Sequence, residues 1–379
     1  MKKYILTDDT KQVEDNHGVH TLHRILYTDE FVKTVINPKK ESFLGGWIEN
    51  ENNLSQDDNA LVLNEAIVME NAQVRENAIL EDNAIISNYA IVDGKAHIRD
   101  KVKVSDYAHI SGNTDIRENV NIRNNVFITG EDVSIRLDAI IGGHTYINGE
   151  FIIIDDDAFI DGNVNLSGKI AIHDNASITG DTIINGFVTK NGHQYYDDDE
   201  CTILITKNTQ ISGGTILGEG HYTDNAHISG NPYINSKGYI VVADNARIGG
   251  SVRIEGNFRF LDNAYVTGHT QMTSDFTVEE KVVNDIKTTV GSKMFDVKGN
   301  SYITGNTIIN NTPIEGDTEI GGNAIINNCT LKDVKISGYN NKSYTNREMD
   351  NIIIDNLGRE NPRTDIETDK DDKEDEMER

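Results

Sequence analysis

Residues 64–92 read NEAIVMENAQVRENAILEDNAIISNYAIV, and the stretch keeps a six-residue clock. Ala66, Ala72, Ala78, Ala84 and Ala90 fall six apart, and each is followed two residues later by an aliphatic: Val68, Val74, Leu80, Ile86, Val92. Extended in both directions, the aliphatic series is unbroken from Val62 to Ile128. After one extra residue it resumes at Ile135, Ile141, Ile147 and Ile153, and after another at Ile160, Leu166, Ile172, Ile178 and Ile184. Six residues carry a helix far from its starting face, and the intervening positions are not apolar at the period of two that a plain strand needs. The period fits a short strand plus a corner.

The corner has its own residues. Two positions after each aliphatic stand Asn64, Glu70, Glu76, Asp82, Asn88, Gly94, Asp100, Asp106, Gly112, Glu118 and Asn124, often followed by a further Asn. Asn, Asp and Gly tolerate turn and left-handed backbone angles. Three hexads then close an 18-residue triangular coil, and coils stack by parallel strand pairing. Residues 18 apart lie over one another, which predicts Tyr89 on Tyr107 and Asn59 on Asn77. About a dozen coils at about 4.8 Å per layer predict a column roughly 55–60 Å long. The expected class is all-β: a single-stranded, left-handed parallel β-helix.

Weaker runs continue the pattern from Ile211 to Ile326. Two polar stretches break it, TKNGHQYYDDDE (189–200) and EEKVVNDIKTTVGSKM (279–294), and read as loops inserted into the column. Residues 1–46 do not follow the clock. Their strand-like runs suit a β-rich cap over the open strand edges of the first coil. The reading is therefore a cap at 1–46, a column at 47–338, and an acidic, disordered tail at 339–379.

The chain has 379 residues, 35 Lys+Arg and 62 Asp+Glu, for a net charge of −27. That charge argues against binding to a nucleic-acid backbone and keeps a long surface soluble. No apolar stretch approaches the length of a membrane span. MKKYILTDD turns acidic before a signal-peptide core forms, so cytoplasmic synthesis is expected, which leaves later association with a virion open. Cys201 and Cys329 stand too far apart to read as a disulfide framework or a CxxC metal site.

The hexad resembles the repeat of the hexapeptide-repeat, left-handed β-helix superfamily over roughly residues 55–338. The entry segment, with Leu22, Arg24, Gly45, Gly46, Trp47, Ile48, Leu54 and Ser55, is similar to the N-terminal signature of YdcK-type proteins. These acetyltransferase-like proteins occur in gut bacteria, prophages and phages. The resemblance implies the fold more strongly than a function. The superfamily's acyltransferases use acetyl-CoA or acyl carrier protein, usually as trimers, with a histidine as general base. His193, projecting on the 189–200 loop beside Tyr195 and Tyr196, is the candidate for that role. The Asn-His-x-Trp loop of the xenobiotic acetyltransferases is absent, and the scattered Lys and Arg offer little to the phosphates of CoA.

His97, His109 and His227 sit between small and aliphatic positions and should face outward. His144 and His269 precede Thr145 and Thr270 at corners, a similarity the repeat itself explains. No three-histidine zinc set of the γ-carbonic anhydrase kind emerges, since His97 and His109 belong to different faces. In NHGVHTLHR, His17, His20 and His23 are three apart, and on a strand successive members face opposite ways, so no metal site is expected there. Acid rows are too interrupted by Asn, Lys and Arg for a DNA mimic, and the Thr-x-Thr rows of an ice-binding face are missing. The reading is a non-catalytic structural or binding protein of phage or prophage type, needing no cofactor, with a protein or glycan partner. The alternative is a CoA-dependent acyltransferase, which would bring acetyl-CoA and a trimeric homo-oligomer.

Overall fold

The computed structural model describes residues 2–36, 39–186, 189–190, 193–194, 202–236, 239–274, 279–283, 286–290, 295–336, 343–350, 352–354 and 360–362. It is a parallel β-solenoid of about 15 turns, 52% strand and 4% helix. The contacts divide the chain into two units, Met1–Asn235 and Ser236–Arg379.

From Leu61 to Ile122 each hexad forms a two- or three-residue strand and a corner; beyond it, strands such as Phe127–Ile135 and Tyr146–Ile154 run on through a corner. Leu61 pairs with Ile79 and Ile79 with His97; Ile67 pairs with Ile85, and Gln73 with Ile91. Each pair is 18 residues apart, so three hexads close one turn. The twelve aliphatic markers from Val62 to Ile128 are fully buried, as are the alanines two residues before them. Alanine, valine or threonine stands there, because the chain has just turned the corner and the interior is narrow. The aliphatic two residues on fills the centre of the coil. This column is the core, and its packing keeps the aliphatic position apolar, while the small position also takes buried threonines such as Thr114 and Thr145.

All eleven corner positions named above have positive φ, from 55° at Asn64 to 79° at Gly112. A left-handed conformation costs a side-chain-bearing residue roughly 1–2 kcal/mol. The layers offset that cost with one another. Glu70 accepts the backbone N–H of Asn88 (2.5 Å), Asn88 that of Asp106 (3.1 Å), Asp106 that of Asn124 (2.8 Å) and Asn124 that of Gly143 (3.3 Å). On a neighbouring corner Asp100 accepts from Glu118 N (3.1 Å) and Glu118 from Leu137 N (2.8 Å). These corner amides have no strand partner, and the Asn, Asp or Glu side chain of the adjacent layer satisfies them. Tyr89 stacks on Tyr107 (5.1 Å between ring centroids, planes 6° apart), and Asn59 bonds Asn77 at 3.1 Å, both in the expected register.

Extra residues are absorbed at corners. Gly130 and Glu131 form a bulge that lies directly under Gly149 and Glu150 of the next turn. A bulge in one layer is matched by the next, so both flanking strands stay paired. The match corrects one marker: Ile152 and Ile154 face inward and Ile153 outward, because the second insertion precedes Ile153 rather than following it. The two loops leave and re-enter the column in place. Ile170 pairs with Ile203 across the first, and in the second unit Phe258 pairs with Phe295 across the other. Within them Thr189–Lys190 pairs antiparallel with His193–Gln194, and Glu279–Val283 with Ile286–Val290.

The second unit repeats the architecture. Arg247 pairs with Tyr265, Tyr265 with Tyr302, and Tyr302 with Glu319, while Asn245, Asn263, Asn300 and Asp317 form a side-chain ladder along one corner. Strands Ser343–Thr345, Glu348–Asp350 and Ile352–Ile354 pair with earlier turns, so the column runs past residue 338. Residues 363–379 of the expected tail lie outside the described residues.

At the amino-terminal end β1 (Tyr4–Asp15), β2 (Gly18–Tyr27) and β3 (Phe43–Ile48) form an antiparallel sheet. Between β2 and β3, Asp29–Phe31 is helical, capped by the Thr28 side chain. β3 is the joint: it pairs antiparallel with β2 and parallel with the column through Trp47 and Ile67. Tyr27 Oη accepts the N–H of Val62 at 2.7 Å, Tyr4 Oη donates to Leu54 O at 2.8 Å, and the buried Lys3 ammonium donates to Asp58 and Ala60 O. These groups satisfy main-chain atoms of the first turn that no earlier turn can pair.

Candidate functional site

The signature residues of the entry segment all serve the joint. Gly46 packs so closely that a Cβ there would lie 2.5 Å from Ala66 O, and one on Gly45 would lie 2.6 Å from the Tyr27 ring. Trp47 Nε1 donates to Glu65 at 2.9 Å, and its ring is flanked by Lys11 (4.6 Å) and Arg24 (4.9 Å), which both pair with Glu65. Those pairs hold the Glu65 carboxyl below its ordinary range, Arg24 most of all. Leu54 is fully buried and Ser55 N donates to Val74 O at 3.0 Å.

His193 lies in the short strand His193–Gln194, paired with Lys190. Its side chain, and Tyr195 and Tyr196, fall outside the described residues. His97 and His109 lie on different faces: His97 pairs with Ile79 and Asp115, His109 with Ile91 and Phe127. Each imidazole contacts a carboxylate, Glu81 at 3.1 Å and Asp93 at 3.0 Å. Thr145 and Thr270, after His144 and His269, are buried at the small position and return their hydroxyls to Gly142 O and Thr267 O. The repeat therefore accounts for the shared Gly-His-Thr spelling.

Two arrangements recur that the sequence did not reveal. Asp93 takes two bonds from Arg75 (3.0 and 2.9 Å) besides that from His109. Asp155 takes two from Arg136 (3.0 and 2.8 Å) and contacts His173. Both aspartates are nearly buried. Burial works against ionisation of Asp93, but hydrogen bonds from Ser111, Arg75 and His109 outweigh it and hold its carboxyl low. These groups lock adjacent layers together, since each partner comes from a different turn.

The third arrangement corrects the reading of NHGVHTLHR. His17 is in the turn between β1 and β2, not on a strand, so the alternation argument does not apply to it. His17 and His20 both reach Asp15, and the column supplies Glu49 to His20 (3.2 Å) and Glu70 to His17 (3.0 Å). Only the tertiary fold, which lays the turn against the Glu70 corner, brings these groups together.

A shallow depression on one corner is lined by Asp82, Asn83, Asp100, Lys101, Glu118 and Asn119. Its lining is polar and mostly members of the corner ladders, unlike the apolar concavity that encloses a small molecule. Lys101 is the single cation of the six. The more conspicuous surface is aromatic. Tyr89 and Tyr107 are 53% and 63% exposed. Two residues after Tyr107, His109 faces out with Phe127 and Tyr146 on successive turns above it, the last two rings stacked at 5.4 Å.

The fold defines the chain as a parallel β-solenoid protein, the architecture of the β-helix superfamily. Compared with known proteins, it matches no family model and no curated protein at a significant level.

Proposed function

We propose that this protein is a non-catalytic structural or binding component built on its solenoid, of the kind that phage and prophage particles carry. One observation carries the reading: the polar side chains fixed by the repeat are occupied by the column itself. The corner acids accept main-chain N–H groups of the adjacent layer, and the outward histidines His97 and His109 are tied to carboxylates. An enzyme of this size would instead leave convergent polar groups around a concave pocket. A repetitive backbone paired turn on turn suits a part that must resist unfolding and proteolysis. The two exposed aromatic rows, Tyr89 on Tyr107 and His109, Phe127 and Tyr146 beside it, are the surface we assign to a protein or glycan partner, through ring edges and hydroxyls. Mass spectrometry of purified particles and of the host's soluble fraction tests the reading. Recovery with particles at constant stoichiometry is expected; recovery only as a free soluble protein that transfers acyl groups would overturn it.

The competing reading is a CoA-dependent acyltransferase with His193 as general base. The antiparallel pairing of Thr189–Lys190 with His193–Gln194, a break from the parallel column, is the observation in its favour.

A further inference from the structure

The turn between β1 and β2 brings a second kind of chemistry to the Glu70 corner. His17 Nδ1 lies 3.0 Å from Glu70 Oε1 and 3.9 Å from Asp15 Oδ2, and one ligand atom from each of the three residues falls within 4.8 Å of the others. A tetrahedral zinc ion with bonds of about 2.0–2.1 Å spaces its ligand atoms about 3.4 Å apart. The His17–Glu70 and His17–Asp15 separations bracket that spacing without movement of the chain.

The remaining atoms are held as an outer shell would hold them. Asp15 Oδ1 accepts the backbone N–H of His17 (2.7 Å) and contacts His20 Nε2 (3.1 Å). Glu70 Oε2 accepts the backbone N–H (2.5 Å) and the side-chain amide (2.7 Å) of Asn88. Each carboxylate thus has one oxygen fixed by protein donors and the other turned toward His17 Nδ1. This division between a ligating and an oriented oxygen is what metal carboxylates show. Two carboxylates and a neutral imidazole leave two negative charges for a divalent ion. His17 is 58% exposed, so an entry path and a coordination position for water are both present. The longer contact of the Asn88 amide with His17 Nδ1 (3.2 Å) is the one an ion would displace.

A second grouping of two carboxylates and a histidine, Asp155, Asp156 and His173, fails the same inspection. Arg136 already places a guanidinium on Asp155 Oδ2 through two hydrogen bonds, so an arriving cation would meet a fixed positive charge. Among the described residues no Lys or Arg pairs with Asp15, His17 or Glu70.

We propose that Asp15, His17 and Glu70 form a binding site for a divalent transition-metal ion of the zinc class, which clasps the β1–β2 turn onto the column. The full-length protein, stripped with chelator and titrated with Zn²⁺ by calorimetry, should show one tight site per chain. His17→Ala, an exposed turn substitution, should abolish it, and His20→Gln should weaken it on the order of 10–100-fold through the orientation of Asp15. Asp156→Asn should leave it unchanged. Bound Zn²⁺ should also slow amide exchange across residues 14–19, and Co²⁺ should give the visible spectrum of a four-coordinate ion. Absence of Zn²⁺ binding at micromolar concentrations would overturn the proposal. So would unchanged affinity in a folded His17→Ala protein, or loss of the site in Asp156→Asn alone.

Discussion

Asp93 shows how a side chain that looks like surface charge becomes a structural part. It stands one residue after a core aliphatic, is 4% exposed, and gathers Arg75 from one neighbouring turn and His109 from the other. Its carboxyl titrates low, so its contribution to stability is present above the unfolded value of about 3.9 and is lost as pH falls through the folded value. Asp93→Asn should destabilise by on the order of 1–3 kcal/mol at neutral pH, the range for hydrogen bonds to charged groups. Thermal melts from pH 7 down to pH 3 should show the gap from the parent closing at the acid end. A gap independent of pH would mean that the charge plays no part. Glu118 separates the two roles of a corner acid. Glu118→Gly removes the acceptor of Leu137 N but relieves the left-handed backbone, whereas Glu118→Ala removes the acceptor and keeps the strain. The alanine variant should be the less stable by about 1–2 kcal/mol.

At the scale of elements, the hexad was fully legible because every position in it answers to a local cause: turn angle, interior width, core volume. That is why the register of Tyr89 on Tyr107 and the corner positions could be written down from spacing alone. The insertions were less legible. Ile153 looked like a core marker, but where a bulge falls is decided by the bulge in the turn beneath it, which spacing does not record. The joint at β3 was visible only as an unexplained signature. Gly46 faces Ala66 O across the parallel pairing of Trp47 with Ile67, a contact made between segments twenty residues apart. Gly46→Ala should therefore undock the amino-terminal sheet from the first turn, at about 1–3 kcal/mol for the overpacking. Trp47 is the only tryptophan, so a red shift and quenching change in intrinsic fluorescence would report the undocking directly. An unchanged spectrum and melting temperature would show that the sheet is not held at Gly46.

For the whole molecule, composition was informative about charge but not about its purpose. A net charge of −27 looked like a solubility device, and in the fold acids such as Glu70, Asp100 and Asp106 have a second task at the corners. The candidate site was the least legible part. Asp15 and His17 stand 55 and 53 residues before Glu70, and only the closure of the first turns brings them together. His193 was found from a break in the clock, which locates a departure from the column but not a chemistry. The central claim is that the solenoid's polar rows serve its own layers, and the proposed non-catalytic role rests on it. Calorimetric titration with acetyl-CoA tests it most directly. No saturable heat is predicted, either for the parent protein or for His193→Ala; saturable binding to the parent that His193→Ala abolishes would contradict the account.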